Sequence, residues 1–265
     1  MSALNSAQIA VMSTAQVAAI STDSIPALTT ATISNLSVSQ MYALITAQIA
    51  AIDADSQLPN MGSKLIAAMS TAQVVALTTD QVSNLGTAQL AAMTTKQIAA
   101  METDDVQAIT TIQLAHMTAK QLSSMSTDQV VALTTAQAIT LTTAQLYAMS
   151  SNQVVSMETQ DLYVLSTKQL QALKNAIISA LTTGQLTSLS SAQVSGLKSS
   201  QIAVLTTDQV QSLLTSQLNN LGTAQMASMT TKQVVALTTD QVSNLGTKQL
   251  AALTAKQVSV METDD

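Results

Sequence analysis

Residues 141–148 read Leu-Thr-Thr-Ala-Gln-Leu-Tyr-Ala, and residues 229–236 read Met-Thr-Thr-Lys-Gln-Val-Val-Ala. The same eight-residue grammar runs almost end to end. From Leu4 to Met261 there are 33 unit starts, and every one is Leu, Met or Ile. The phase slips once, at 52–60 (IDADSQLPN), where one extra residue moves the starts from Ile52 to Met61. A unit this short cannot bury its own core. It is one rung of an elongated object in which each repeat touches only near neighbours.

Within the unit, position 1 is aliphatic, position 2 is Ser, Thr, Asn, Asp or Gly in most rungs, position 5 is mostly Gln, and position 6 is Val, Ile, Leu or Met nearly throughout. Ser or Thr followed three residues later by Gln is a capping box. The hydroxyl accepts from the N3 amide, and the glutamine reaches back to the cap amide. Positions 1 and 6 then fall at N′ and N4, where a hydrophobic staple places its two apolar side chains. Gly62, Gly86, Gly222 and Gly246 stand at the cap position, where glycine is tolerated. Each octad therefore reads as about one and a half turns of helix followed by a two-residue extended bend.

A continuous α-helix is excluded, because eight residues at 100° leave the apolar stripe drifting about 80° per unit. The alternative is a β-solenoid, since Thr suits strands and stacked strands use short repeats. Against it, positions 1 and 6 would point to opposite faces of a straight strand, and the Ala, Gln, Lys and Met spacers favour helix. The sequence predicts an all-α solenoid of very short capped helices, one per octad, forming a single domain over residues 1–265. Rungs 21–27 (with Pro26), 52–60 (with Pro59) and 174–178 are irregular, and a kink is expected near 52–60. Residues 71–105 return almost unchanged at 231–265, an offset of 20 octads, which marks a segmental duplication.

Composition narrows function. Charged residues make up 9% of the chain and the net charge is −6, against the basic surface that nucleic acid requires. Apolar runs are broken by Thr, Ser or Gln well short of the roughly 18–20 residues a membrane span needs. There is no Cys, Phe, Trp or Arg, so disulfides and thiolate metal sites are excluded. The N-terminus lacks the basic and apolar regions of a signal peptide.

No catalytic constellation is present, and the chain is expected not to be an enzyme. The sole histidine, His116, has no second histidine or cysteine to partner it and reads as a packed or rim residue. The acidic groups Glu102/Asp104/Asp105 and Glu158/Asp161 read as favourable charges at helix N-termini. Glu262, Asp264 and Asp265 form a third such group and are the candidates for a metal site, with Ca²⁺ as the candidate ion. No other cofactor is expected.

The ends carry a functional expectation. METDD at 261–265 supplies positions 1 to 5 of an octad, and Met1–Ala3 supply positions 6 to 8. Joined tail to head they complete one rung. Uncapped solenoid ends expose core, and a heterologous contact of that kind propagates into an open filament unless it closes a ring. The partner is thus expected to be another copy, in a head-to-tail homopolymer with Met1, Leu4, Ile9, Val258, Met261, Asp264 and Asp265 at the interface. The alternative is a repeat binding module that presents its Thr/Ser array to a glycan, a surface or ice.

The octads MSTAQV (12–17), LTTDQV (77–82) and LTTAQL (141–146) resemble the tandem repeats of large, low-charge proteins of Gram-negative bacteria, often labelled haem-utilisation or adhesion proteins. The resemblance covers essentially the whole chain. It implies export by a signal-less route and extracellular or cell-surface display. No haem-ligand pattern accompanies it here.

Overall fold

The structure is a computed structural model and describes residues 4–261. The chain divides into two compact units, Met1–Leu133 and Thr134–Asp265. Each is a solenoid of short helices, four to six residues long in their α-helical part, such as Thr79–Asn84, Ala119–Ser123 and Thr207–Ser212. No strand occurs among the described residues, which excludes the β-solenoid.

Local chemistry sets each rung. At Thr118 the Gln121 amide donates to the threonine Oγ1 (3.1 Å), and the Thr118 amide donates back to the Gln121 Oε1 (2.8 Å). The bend is two extended residues, Met117 (φ −62°, ψ 142°) and Thr118 (φ −68°, ψ 151°). Extended backbone at both positions stops one helix and caps the next, so the chain changes direction without a glycine in the left-handed region. The staple pair turns inward as the pattern requires. Met117 at position 1 is 4% exposed, and Leu122 at position 6 of the same octad is fully buried. The core is a continuous aliphatic column built from these two positions, with positions 3, 4 and 7 mostly left to solvent.

Winding follows from which rungs meet. Helices 24 residues apart pack together, as Ser63–Ala67 does with Thr87–Ala92 in the first unit and Thr183–Ser188 with Thr207–Ser212 in the second. Side chains also reach back 28 to 31 residues. One superhelical turn therefore takes about 28 residues, or three and a half octads. The small residue at position 8 permits this approach. At Gly196 even a methyl group would fall 2.5 Å from the Thr167 Cγ2 of the adjacent turn.

The extra residue at 52–60 is absorbed locally. Asp53 caps through its carboxylate, which accepts from the Ser56 amide (2.7 Å) and hydroxyl (2.6 Å). The reciprocal bond runs from the Asp53 amide to Gln57 Oε1 across four residues instead of three. A 3₁₀ turn, Leu58–Asn60, replaces the α-helix. Ile52, Leu58 and Met61 all stay buried, and Gln57 still reaches the preceding turn. The expected kink is thus a bulge between cap and glutamine that leaves the rung's inward-facing residues in register.

Two rungs carry an aliphatic residue at the cap position. Ile45 and Leu214 occupy the cap position, are about half exposed and make no side-chain cap bond. Leu214→Thr is expected to stabilise the second unit by about 1 kcal/mol. A rise in the urea midpoint at unchanged slope would show it.

Candidate functional site

The most distinctive polar feature is a ladder of buried glutamines. Position-5 glutamines lie at only a few per cent exposure through most of both units, and burial of an amide demands partners for each of its polar atoms. The Oε1 serves the capping box. The Nε2 does something the octad alone does not announce. In the first unit, Gln121 Nε2 donates to Leu90 O (2.9 Å) and Met93 O (2.8 Å), and Gln81 Nε2 to Ile49 O (2.9 Å) and Ile52 O (2.7 Å). In the second, Gln233 Nε2 donates to Ile202 O and Leu205 O, both at 2.8 Å. Each amide thereby adds a second bond to a position-6 carbonyl, which already accepts from the next position-1 amide (Met93 to Leu90 O, 3.1 Å), and bonds the carbonyl of that position-1 bend residue, one turn back. The bend carbonyl lies past the helix end, where no intrahelical amide reaches it, so each buried glutamine fastens its own rung to the turn before it.

Position 5 carries no glutamate in any octad. A capping box accepts Glu and Gln alike, but only the amide has hydrogens for the carbonyls below. Asp stands there in two described rungs. Asp161 Oδ1 accepts from Thr135 Oγ1 (2.9 Å), and burial pushes its carboxyl above the usual range in spite of that bond. Asp105 is 3% exposed, and its Oδ2 has no hydrogen-bond partner among the described residues.

Other candidates fall outside a reactive geometry. His116 Nδ1 lies 2.8 Å from Ile112 O in its own helix. Among the described residues no group of three or more His, Cys, Asp or Glu side chains is placed to hold a metal ion. Two position-3 threonines are engaged between turns, Thr30 with Ser56 O and Thr135 with Asp161. Tyr147 is largely exposed, with the Lys174 Nζ 4.9 Å from its ring centroid.

The ladder has two different terminations. At the N-terminal end of the first unit, Gln8 and Gln16 are exposed. Their Oε1 atoms serve the caps at Asn5 and Ser13, and their Nε2 groups have no acceptor among the described residues. At the C-terminal end of the second unit, the carbonyls of Val242, Leu245, Leu250 and Leu253 receive no side-chain amide among the described residues, and those of Val242 and Leu250 keep the backbone amides of Leu245 and Leu253. Around them, Leu250 (42%) and Val258 (52%) are exposed at position 6, where interior rungs are fully buried.

The interface residues expected from sequence are distributed unevenly. Leu4 is half-buried, and its carbonyl accepts from Thr32 Oγ1 (3.0 Å). Ile9 is fully buried and its carbonyl already belongs to Gln40 (2.7 Å), so its side chain is not on an open face. Val258 is exposed and Met261 half-exposed. Met1, Glu262, Asp264 and Asp265 lie outside the described residues. The glutamines that terminate the ladder were not among the residues expected from sequence. Their signal was the exclusion of glutamate from position 5.

The octads, their caps and their ladder together have a counterpart among known families. The ALTTAQ repeat model matches residues 1–30, 56–87, 98–135, 106–143, 154–191, 178–215 and 214–247. The chain belongs to the ALTTAQ repeat family. A comparison with curated proteins returns no match. Within this ALTTAQ repeat chain, no helix among the described residues is long and apolar enough to cross a membrane.

Proposed function

We propose that this ALTTAQ repeat protein is a structural subunit that assembles head to tail into a filament or surface fibre, without a catalytic role. The observation that carries the reading is the opposite termination of the ladder: among the described residues, amide donors at Gln8 and Gln16 without an acceptor, and carbonyl pairs at Val242/Leu245 and Leu250/Leu253 that lack the side-chain amide interior pairs receive. Donors and acceptors are both spaced by eight residues. If the octad phase continues from one copy into the next, the interior register of 31 and 28 residues sets Gln8 against the first pair and Gln16 against the second. The contact is heterologous, so it propagates. The exposed Leu250 and Val258 supply apolar area beneath the polar ladder.

Display outside the cell fits the low charge and the Thr/Ser/Gln surface, and is part of the same proposal. Sedimentation velocity and electron microscopy of the full chain test the assembly. The wild type is expected to form thin unbranched fibres as concentration rises. The Gln8→Glu/Gln16→Glu double variant is expected to stay monomeric with an unchanged helical spectrum, because both side chains are exposed. A wild type that is strictly monomeric at high concentration, or a double variant that polymerises equally well, would overturn the reading.

A further inference from the structure

Of the two described aspartate rungs that break the ladder's rule, one leaves a buried carboxylate oxygen without a partner among the described residues. In the first unit Asp105 takes the glutamine position of the helix Thr103–Ala108. The Glu102 amide donates to its carboxylate, as a cap amide does to a glutamine Oε1. The second oxygen, Oδ2, takes the part of the glutamine Nε2. By the register of the ladder it is assigned to Val74 O, which keeps the Leu77 amide (3.1 Å), and Leu77 O, and neither receives a side-chain amide among the described residues. An ionised carboxylate has no hydrogen to give them, and Oδ2 is buried without a partner. A carboxylic acid is the amide's counterpart, with one accepting oxygen and one donating group.

We propose that Asp105 is a proton-operated latch: protonated, its hydroxyl replaces the missing amide and bonds the preceding turn, and ionised, it leaves that rung unfastened. The charged groups beside it and on the two helices packed against it are acidic, and the Glu102 amide bond is the one influence that favours the ionised form. Glu102 and Asp104 share its helix. The helix Thr79–Asn84 brings Asp80, and the helix Thr127–Val131 brings Asp128, which lines one cavity with Glu102 and Asp104. No Lys or His lines that cavity. Burial first, then the charges of Glu102 and Asp104, raise the carboxyl from 3.8 to about 6. The folded protein thus holds this proton more tightly than the unfolded chain. The stabilisation is complete below pH 3.8 and is lost as pH rises through about 6.

The test is carried out on the full chain. Side-chain carboxyl NMR should place the Asp105 midpoint near 6. Amide hydrogen exchange, corrected for intrinsic rates, should show protection around 74–77 and 101–109 falling about ten-fold as pH rises through that midpoint. Asp105→Gln should remove this pH response and hold the protected level throughout. Asp105→Asn, a shorter amide, should also remove it, so the result does not depend on how one variant packs. An Asp105 midpoint near 3.8, or an unchanged pH response in both variants, would overturn the proposal. Neither outcome depends on whether copies assemble.

Discussion

Gln81→Glu is expected to destabilise the first unit by about 3–5 kcal/mol at neutral pH. The substitution keeps the length and shape of the side chain, and it keeps the acceptor for the Thr78 amide at 2.9 Å. It removes the hydrogens that bind Ile49 O and Ile52 O, and it turns a negative oxygen toward two carbonyl dipoles at a site 1% exposed. An uncompensated buried charge accounts for most of the cost. Gln81→Met separates the contributions. It loses the bonds, the Thr78 cap bond included, without adding charge, and is expected to cost about 1–3 kcal/mol through the Thr78 amide and Ile52 carbonyl left behind. Equilibrium urea unfolding measures both. The glutamate variant should recover part of its loss in acid, where a protonated carboxyl donates as the amide did. If glutamate and glutamine are equivalent here, position 5 serves only the capping box.

The second large effect concerns register. Deleting Ala144 from 141–148 should destabilise the second unit by more than about 4 kcal/mol. Thr142 and Gln145 form a reciprocal cap through bonds of 3.2 Å and 2.7 Å. Removing a residue between them breaks both bonds, and it shifts the fully buried Leu146 against the neighbouring turn. Deleting Ala54 is the counter-case. It returns 52–60 to eight residues, with Asp53 at the cap and Gln57 at position 5. Gln57 already donates to Ile25 O and Leu28 O, so the deletion is expected to change stability by no more than about 1 kcal/mol. The pair of deletions, compared by thermal and urea unfolding, distinguishes an octad clock from general tolerance of loop length.

The rung itself was legible in the sequence. Thr118 and Gln121, Met117 and Leu122 do what a capping box and a staple require, because those contacts span three to five residues and depend on backbone geometry alone. The turn-to-turn bonds were not legible. Gln121 and Leu90 are 31 residues apart, and their meeting depends on the superhelical pitch, which no single octad encodes. The same reason explains Ile9. By position it is terminal, yet the carbonyl of its rung is covered by Gln40 one turn later. It also explains the bulge at 53–57, where composition pointed to a kink but the requirement that Gln57 reach Ile25 O and Leu28 O kept the register. Asp105 was read from sequence as a favourable charge at a helix N-terminus. Its burial beneath the next turn makes it a cost instead.

Exchange of the glutamine side-chain amide hydrogens, followed by NMR in monomeric and assembled samples, bears most directly on the claim that these amides fasten each turn to the last. The account predicts slow exchange for ladder residues such as Gln81, Gln121 and Gln233. It predicts fast exchange for Gln8 and Gln16 in the monomer, and protection of those two once copies associate. Free-chain exchange rates at Gln81, Gln121 and Gln233 in the folded protein would contradict it.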